Sequence, residues 1–566
     1  MSAYHFPDRS ALDRAPLLPE YSPLTNELLR QRGLTDATAA AQFLAPDYDT
    51  GLHPPEMLHD CVVACARIEA AVAAGERIAI FADYDCDGIP GAVILHDFFT
   101  AIGYDNFRVY IPHRHFEGFG LSEAAVTTLA DDGVSLIVTI DCGVTDVAAV
   151  AAAQERGVEV LITDHHEPGA TLPAAAAIVN PKLGTYPFPD LCGAAVIFKV
   201  VQALLARGSY PLPEGWEKWW LDMVGVATVA DMVPLVGENR VLAHYGLQVL
   251  RKSRRPGLQQ LLRTLRVPVL HLNEDDIGFT IGPRINAASR MDSPEAAFTL
   301  LTARDEGVAG EQVRHLERLN TARKSAVAKI TKELHSRLMT LEELPPVLVF
   351  GSPEWRPSLV GLAASKLAEE YQRPVFLWGR DGNEVCKGSC RSAGTLSVVR
   401  LMEAAAAVFS EYGGHHMSGG FSVRPESIHE LGSTLVTAAE QLGSAAAVTE
   451  PVVVNAELTL REITDQFLRE LAQLGPFGLG NERPLFAIRR VTPIAVELFG
   501  KGAAHTKVVL DDDGRRLEAI AFFTQPDAFT TTPTVDMPCT VLAHVERSYF
   551  RGRAETRLRL VDVLPR

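Results

Sequence analysis

Four short motifs in the sequence contain acidic and histidine residues of the kind that bind divalent cations. They are Asp83-Tyr84-Asp85-Cys86-Asp87-Gly88, Asp141-Cys142-Gly143, Asp164-His165-His166 and, within residues 229–235, the single acid Asp231. Each of the first three follows a short apolar run with the pattern of a buried strand, at residues 78–81, 136–140 and 158–162. Residues beyond the carboxyl ends of parallel strands share one crevice. The sequence therefore predicts that these three motifs meet at one edge of a sheet.

The first motif has two interpretations. Its carboxylates alternate along the chain, so on an extended segment they share a side, where they repel each other unless cations lie between them. The other interpretation is a helix cap followed by a turn, since Asp-Gly is common at such turns. Asp141-Cys142-Gly143 taken alone is also more typical of a turn. Both interpretations stay open for each motif by itself.

The remaining motifs favour metal binding. Adjacent histidines after an acid at a strand end rarely serve packing, and Asp231 ends a mostly apolar helix, where an unpaired carboxylate is costly to bury. The predicted ligands are Asp83, Asp85, Asp87, Asp141, His165 and Asp231, with Asp83 either a ligand or a support behind the ligands. This oxygen-rich set suits two divalent cations, and its imidazole favours Mn²⁺ over Mg²⁺. Two such ions activate water and clamp a phosphoryl oxygen, so phosphoester hydrolysis is the expected reaction class.

The elements that must position these residues form an α/β fold. Strand-like and helical stretches alternate over residues 77–180, which predicts a parallel sheet. A long charged helix is predicted to join this lobe to a second α/β lobe, and five short strands after it suit a small OB-like β-barrel, though other small β folds fit nearly as well. The predicted domains are an N-terminal segment (1–50), the first lobe (51–304), the connecting helix (305–340), the second lobe (341–447) and the barrel (448–566).

Composition narrows the class of protein. With 566 residues, 47% of them hydrophobic, the chain is expected to contain several domains. A net charge of −17 argues against broad binding of a polyanion, so a nucleic acid would need local basic surfaces. Two are predicted, at residues 251–255 and at Arg547, Arg551, Arg553, Arg557 and Arg559, although most such runs are solvated faces. We find neither a signal peptide nor a stretch apolar enough to cross a membrane, and expect a cytoplasmic protein.

At the four motifs the sequence resembles the DHH phosphoesterase superfamily, named for a triplet such as Asp164-His165-His166. Within it, the chain is most similar to bacterial 5′→3′ exonucleases specific for single-stranded DNA. Further matching segments lie at residues 32–35, 111–114, 117–121, 282–288, 388–392, 413–415 and 475–478. The resemblance implies that the first lobe is a DHH domain, the second a DHH-associated domain and the barrel an OB domain.

The resemblance also implies roles for individual residues. Asp141 would bridge the two metals, with His166 facing the scissile phosphate and Asp164 completing the catalytic group. Arg290, Ser389 and Arg391 would form a pocket for the 5′ end of the DNA. Arg114 and Phe119 would hold the backbone and stack on a base, with core packing an equal alternative for Phe119. The other predicted substrate contacts are Arg284, Asn286 and His415.

Three residues depart from the family pattern. Cys390 and Ser289 stand where the family usually has glycine, and Arg356 follows Trp355 where histidine is usual. Cys390 is expected to add bulk beside the end pocket, and Arg356 to add a cation. No predicted metal ligand is missing.

The resulting hypothesis is an exonuclease that releases nucleoside monophosphates from single-stranded DNA in repair and recombination. It would use two divalent cations, preferably Mn²⁺, and act as a monomer that does not bind a membrane. Its expected protein partners are a single-strand-binding protein and a helicase. One alternative is a DHH phosphodiesterase for short oligonucleotides, which the β-rich domain argues against. The other is a non-catalytic DNA-binding scaffold, which the full set of metal ligands argues against.

Overall fold

The computed structural model describes residues 4–6, 12–208, 210–394, 396–443, 451–549 and 554–566. The chain begins with a short strand and two helices. They are β1 (Tyr4–His5), α1 (Pro23–Gln31) and α2 (Ala37–Leu44). The side chain of Ser22 accepts a hydrogen bond from the N–H of Thr25 at the start of α1, and Asp36 caps α2 in the same way through Ala39. These caps satisfy backbone donors that each helix leaves unpaired at its first turn.

The first lobe is built on a parallel sheet. Its elements are α3 (Cys61–Ala74), β2 (Ile78–Ala82), α4 (Gly88–Ala101), β3 (Phe107–Tyr110), α5 (Glu123–Asp131), β4 (Leu136–Ile140), α6 (Val147–Glu155), β5 (Glu159–Thr163) and β6 (Ala177–Val179). The strand order is β3-β2-β4-β5-β6 and every pair is parallel. All residues of β2 and β4 are buried, because helices cover both faces, as the continuous apolar runs predict.

Seven helices extend this lobe. They are α7 (Gly193–Arg207), α8 (Leu221–Ala230), α9 (Gly237–Leu250), α10 (Pro256–Leu265), α11 (Glu274–Asp276), α12 (Gly282–Met291) and α13 (Glu295–Thr302), with a π-helical turn at Ile277–Ile281. α8 and α9 approach closely at two glycines: a Cβ on Gly225 would lie 2.7 Å from the Cα of Gly246. This contact fixes α8, whose last turn leads to Asp231.

The long helix α14 (Glu306–Leu338) joins two lobes, which confirms the predicted architecture. Its N-terminal half packs into the first lobe through Val313 and Leu316, and its C-terminal half packs into the second through Ile330 and Leu334. One continuous helix therefore contributes to two separate cores.

The second lobe contains a mixed sheet. Its elements are β7 (Leu348–Gly351), α15 (Pro357–Tyr371), β8 (Val375–Arg380), β9 (Cys386–Arg391), α16 (Val398–Ala404), β10 (Phe409–Gly414), β11 (Ser418–Val423) and α17 (Leu431–Leu442). The strand order is β10-β11-β9-β8-β7, in which only β7 and β8 run parallel. The glycine-rich segment near residue 413 is a pair of antiparallel strands.

The C-terminal domain is a closed five-stranded barrel, so the predicted OB-like fold is confirmed. Its elements are β12 (Val452–Val453), β13 (Ala456–Leu458), α18 (Asp465–Gln473), β14 (Phe486–Phe499), β15 (His505–Asp512), β16 (Arg515–Ala521), β17 (Cys539–Ser548) and β18 (Glu555–Leu564). β14 pairs with both β15 and β17, which closes the sheet. Asp513 and Gly514, both with positive φ, form a two-residue turn between β15 and β16, as the sequence Asp-Gly favours.

The N-terminal segment shares a core with this barrel although the rest of the chain separates them. Leu28, Leu29 and Leu44 pack in one cluster with barrel residues such as Val541 and Leu558. We propose that the two parts form one structural unit. The predicted boundary between residues 447 and 448 lies outside the described residues.

Arg240 of α9 ties the first lobe to this unit. Its buried guanidinium donates hydrogen bonds to the carbonyls of Phe43 at 3.0 Å, Leu474 at 2.9 Å and Gln473 at 3.0 Å. It also lies 3.7 Å from the ring centroid of Phe43. One side chain therefore satisfies three carbonyl groups at the interface.

Replacing Arg240 should loosen the C-terminal unit. The Arg240→Ala variant leaves three acceptors without a donor, which should cost about 3 kcal/mol or more in free energy of unfolding. Limited proteolysis should then cut between residues 443 and 454 faster than in the wild type. Arg400→Ala, at an exposed arginine, is the matched control. Equal cleavage rates in both variants would contradict this assignment.

Candidate active site

The first three acidic motifs lie side by side because the parallel ladder continues past the strand ends. The N–H of Asp83 donates to the carbonyl of Ile140 at 3.1 Å, and the N–H of Asp141 donates to that of Thr163 at 2.9 Å. The N–H of Asp164 in turn donates to the carbonyl of Val179 at 3.0 Å. Each acid is thus held at the carboxyl end of its strand, in register with the next.

These residues and Asp231 form a compact cluster, here called the acidic nest: Asp83, Asp85, Asp87, Asp141, Asp231, His165 and His166. Nε2 of His165 lies 3.2 Å from Asp141 Oδ1, 3.7 Å from Asp87 Oδ2 and 3.8 Å from Asp231 Oδ2. The ligand atoms fall into three groups, each within 4.8 Å: Asp141-His165-His166, Asp87-His165-Asp231 and Asp83-Asp85-Asp141. Asp141 belongs to two groups, which suits a carboxylate that bridges two cations.

Backbone geometry fixes Asp141. Its φ of 61° is left-handed, a conformation that aspartate tolerates better than most residues. A Cβ on Gly193, the first residue of α7, would lie 2.6 Å from the Cβ of Asp141. Glycine at position 193 therefore lets α7 approach the shared carboxylate.

The N-terminus of α7 holds Asp87. The N–H groups of Gly193 and Ala194 donate to Oδ2 and Oδ1 of Asp87 at 2.6 and 2.7 Å. Helix N-termini stabilise anions in this way. Our sequence analysis missed this role of Gly193. The sequence feature that could have revealed this role is the start of a helix at Cys192-Gly193-Ala194 without a capping side chain. The first N–H groups of such a helix need an acceptor from another part of the chain.

Asp85 satisfies both interpretations of the first motif. Its Oδ1 accepts hydrogen bonds from the N–H groups of Asp87 at 2.8 Å and Gly88 at 3.3 Å, so it caps the turn into α4. It also lies within ligand distance of Asp83 and Asp141. Asn286 supports the same turn, because its Oδ1 accepts the N–H of Cys86 at 2.9 Å. Asn286 thus positions the nest.

The nest has the electrostatics of a cation site. Burial, followed by the charges of neighbouring carboxylates, raises the pKa of Asp87 to about 7 and that of Asp231 to about 9. The same causes raise the pKa values of Asp83 and Asp141 well above their usual range. Oδ1 of Asp83 and Oδ1 of Asp141 are buried without a hydrogen-bond partner. Divalent cations would neutralise these charges and occupy these oxygens, so the residues fit two metals.

The two histidines of the triplet differ. Burial, together with the charge of His166, lowers the pKa of His165 to about 3, so its ring is neutral and can act as a ligand. Burial also opposes charge on His166, but the 2.8 Å hydrogen bond between its Nδ1 and Asp164 outweighs this and raises its pKa to about 9. His166 is therefore cationic at neutral pH, and Asp164 orients it.

Three arginines near the nest form a second cluster, here called the arginine pocket: Arg114, Arg290 and Arg391. Burial, followed by the charge of Arg114, lowers the pKa of Arg290 to about 9, and burial with Arg114 also lowers the pKa of Arg391. In the described part of the chain, none of the three forms an ion pair with a carboxylate. The pocket is therefore a positive site without a direct carboxylate partner, in an acidic protein.

The second lobe supplies the other wall of this pocket. Ser389 and Arg391 share a face of β9, and α15 packs against them: a Cβ on Gly361 would lie 3.2 Å from Ser389 Oγ and 3.1 Å from Arg391 Nη2. Arg290 reaches the same helix, because its Nη1 donates to the carbonyl of Ser358 at 2.6 Å. The structure thus brings the predicted end-binding residues Arg290, Ser389 and Arg391 to one junction.

The remaining predicted substrate contacts are spread around this junction. Arg114 lies 4.7 Å from the ring centroid of Tyr84, within the first motif. Phe119 is 54% exposed and meets His166 edge-on at 5.5 Å, so it does not pack in the core. Arg284 is bound to Glu317 of α14 at 2.5 Å, and its contact with the substrate remains a prediction. His415 is exposed in the turn before β11, whose Ser418 pairs with Arg391.

The departures from the family pattern do not crowd the pocket. Contrary to our expectation, the side chain of Cys390 points to the opposite face of β9 from Ser389, because side chains alternate along a strand. It is buried in the core of the second lobe, 3.9 Å from the sulfur of Met402. Ser289 is buried in α12, and Arg356 donates to the carbonyl of Met291 at 2.9 Å.

The two predicted basic surfaces are largely engaged within the fold. In the run at residues 251–255, Arg251 donates to the carbonyl of Leu272 at 2.9 Å, and Arg254 lies 4.1 Å from the ring centroid of Trp219. Arg255 pairs with Asp97 and Asp222 at 2.7 and 2.8 Å. In the C-terminal stretch the pairs are Arg547–Asp465, Arg557–Glu546 and Arg559–Asp275, while Arg551 and Arg553 lie outside the described residues. The arginine pocket is thus a better site for a phosphate than either run.

Family models match three parts of the chain. They are the DHH family N-terminal domain at residues 77–228, the DHHA1 domain at 344–441 and the RecJ OB domain at 454–562. The single-stranded-DNA-specific exonuclease RecJ of Salmonella typhimurium is 30% identical, over 98% of each chain. The chain belongs to the RecJ family. The RecJ of Bacillus subtilis is 32% identical over 88% of this chain, which spans 63% of that longer protein.

Solved structures of RecJ show the same fold. RecJ from Thermus thermophilus in complex with Mn²⁺ matches all of this chain and 79% of its own, with a TM-score of 0.81 and 28% identity. The same protein in complex with Mg²⁺ matches with a TM-score of 0.76 and 26% identity. The predicted resemblance and fold are confirmed, and so is the prediction that divalent cations are the cofactors. Among the described residues, we find no helix long and apolar enough to span a bilayer.

Without metal, stability should fall as the pH rises. A carboxyl group whose pKa is higher in the folded than in the unfolded state loses its contribution to stability as the pH rises through the folded pKa. Asp87 and Asp231 have pKa values raised from 3.8 to about 7 and about 9. We expect the free energy of unfolding of the metal-free protein to fall by at least about 2 kcal/mol between pH 5 and 8.5, as measured by urea titration. Mn²⁺ should reverse the fall.

Asp231→Asn is the matched variant for this measurement, because an amide cannot lose a proton in this range. Its free energy of unfolding without metal should depend less steeply on pH than that of the wild type. Identical slopes for the two proteins would show that the nest does not cause the effect.

Proposed function

We propose that this chain is a two-metal exonuclease that degrades single-stranded DNA from the 5′ end and releases nucleoside 5′-monophosphates. The observation that carries the proposal is the acidic nest beside an arginine pocket without ion pairs to carboxylates. The nest suits divalent cations, and the pocket suits a terminal phosphate. Relatives along the whole chain are named as single-stranded-DNA-specific exonucleases, which supports the same substrate.

Six residues would hold the cations: Asp83, Asp85, Asp87, Asp141, His165 and Asp231. When bound, two divalent cations activate a water molecule and stabilise charge on the phosphoryl group, and Mn²⁺ suits the imidazole ligand better than Mg²⁺. Asp141 would be shared between the two ions. The N–H groups of Gly193 and Ala194 at the α7 N-terminus orient Asp87 and favour its charged form.

His166 would act on the phosphate itself. Its Nδ1 is bound to Asp164, so its Nε2–H can donate to a phosphoryl oxygen. Its positive charge would stabilise the negative charge that develops on that oxygen. Water adds to the phosphorus between the first two nucleotides, and the bond to the 3′ oxygen of the first nucleotide breaks. The leaving oxygen takes the electron pair and a proton from solvent.

Polarity would come from the arginine pocket. A guanidinium binds a terminal phosphate through paired hydrogen bonds, and Ser389 can add another. With the 5′ phosphate held there by Arg290 and Arg391, the first internucleotide bond would lie at the nest. Phe119, exposed beside His166, would stack on a base near the scissile bond.

The cellular setting is also part of the proposal. Degradation of single strands would serve DNA repair and recombination in the cytoplasm. A single-strand-binding protein and a helicase are suitable partners because they hold or produce the substrate, and we propose a monomer. Co-purification with either partner would test the association, and light scattering would test the oligomeric state.

The alternative functions are less well supported. A phosphodiesterase restricted to short oligonucleotides would not need the barrel that matches the RecJ OB domain. A non-catalytic scaffold would not need buried carboxylates that lack hydrogen-bond partners. Deletion of the barrel is unsuitable as a test, because it shares a core with the N-terminal segment.

End-labelled strands test the proposed reaction. With Mn²⁺, a 5′-labelled single strand should release labelled mononucleotide at once, while a 3′-labelled strand shortens gradually and a blunt duplex survives. Repeating the assay with Mg²⁺ compares the two cations. Asp141→Asn should reduce the rate by roughly 10³-fold or more, because an amide cannot neutralise two cations. Early release from the 3′ end, or unchanged hydrolysis by the variant, would contradict the proposal.

Arg391→Ala should selectively weaken recognition of the 5′ phosphate. Loss of charge-assisted hydrogen bonds should raise KM for a 5′-phosphorylated strand by roughly 10- to 100-fold, with little change for a 5′-hydroxyl strand. Steady-state kinetics on both strands measures the difference, with Arg400→Ala as the control. If Arg391→Ala raised KM equally for both strands, Arg391 would not bind the terminal phosphate.

A further inference from the structure

Besides α14 and the contact of Arg290 with Ser358, the two lobes touch through a contact here called the clasp. It consists of His115 and Phe116 of the first lobe, and Gly382 and Asn383 of the second. The N–H of Gly382 donates to the carbonyl of His115 at 3.1 Å, and Nδ2 of Asn383 donates to that of Phe116 at 3.1 Å. The ring of Phe116 covers Gly382, where a Cβ would come within 2.4 Å of it. A side chain at position 382 would therefore clash with the ring of Phe116.

The clasp adjoins the arginine pocket. Nε2 of His115 lies 3.1 Å from the carbonyl oxygen of Arg290, which also accepts a hydrogen bond from Ser358 Oγ at 2.9 Å. The loop that holds His115 and Phe116 also holds Arg114, and the turn that holds Gly382 leads into β9 with Ser389 and Arg391. Two of the three pocket arginines, Arg114 and Arg391, thus lie on the same two segments as the clasp, and the third, Arg290, contacts His115 directly.

The clasp is thin. Phe116 is 59% exposed and Asn383 is exposed, so the outer face of this contact meets solvent. His115, on the inner side, is half-buried against Arg290. The clasp therefore has one side in contact with Arg290 and the other in contact with solvent.

We propose that the clasp is the end wall of the strand passage and the specificity determinant that limits cleavage to the terminal nucleotide. This inference rests on the proposed function. Arginines attract internal as well as terminal phosphates, so the pocket alone does not stop a strand from running past it. A wall behind the pocket leaves no room for a preceding nucleotide, and only a strand end then fits.

Opening the wall tests this inference. The Phe116→Gly/Asn383→Gly variant removes the ring and the side-chain hydrogen bond, and Glu384→Gln in the same turn is the matched control. The substrates are a 3′-labelled linear strand and a closed circular single strand, each with Mn²⁺. The wild type and the control should release only mononucleotides and leave the circle intact. The opened variant should raise the fraction of di- and trinucleotide products at least about tenfold and nick the circle.

The outcomes separate the two proposals. A wild type that does not degrade the linear strand would contradict the proposed function. A wild type that degrades it, alongside an opened variant that still yields only mononucleotides and spares the circle, would overturn the clasp as end wall.

A locked variant covers the case in which the opened one does not fold. In Phe116→Cys/Gly382→Cys, a disulfide formed by mild oxidation would hold the clasp shut. Mononucleotide release from the linear strand should continue at a rate within about twofold of the reduced form. Loss of this release on oxidation, with recovery on reduction, would show that the clasp must open for the strand, contrary to the proposal.

Discussion

Mutual repulsion among five closely spaced carboxylates, three of them buried, is the constraint on which this structure depends. These carboxylates lie close together where little water can screen them, and burial raises the pKa values of four of them, namely Asp83, Asp87, Asp141 and Asp231. The fold offsets part of this cost with fixed dipoles, namely the first N–H groups of α7 on Asp87. The rest of this repulsion would be relieved by bound divalent cations. Cations that bind to the nest therefore also stabilise the fold.

A second constraint is that the acidic nest and the arginine pocket lie close together but must not form ion pairs with each other. The nest is negative and the arginine pocket is positive, and direct pairing between them would remove both sites. Arg290 avoids this because its guanidinium is held by the carbonyl of Ser358, and Arg114 lies over the ring of Tyr84. The second lobe therefore has to be held firmly against the first, which α14 and the clasp do from two sides.

The sequence predicted those features that depend on local pattern. Continuous apolar runs followed by acids indicated parallel strands with ligands at their ends, and the charged periodicity of α14 indicated a bridge. Features that depend on distant partners were not predictable. Arg255 looked like part of a basic surface, but Asp97 and Asp222 pair with it, and the capping of α7 by Asp87 joins segments far apart in the chain. The 14-residue length of β14 also depends on distant partners, because this strand pairs with both β15 and β17.

The arginine pocket has a consequence for repeated turnover. Cleavage of the bond to the 3′ oxygen leaves the phosphate on the shortened strand, so its new end carries the same group that Arg290 and Arg391 hold. The shortened strand left by each cycle therefore carries the 5′ phosphate that the arginine pocket binds in the next cycle. A strand that begins with a hydroxyl lacks this group only once, so its first nucleotide is the slow one and every later step proceeds alike.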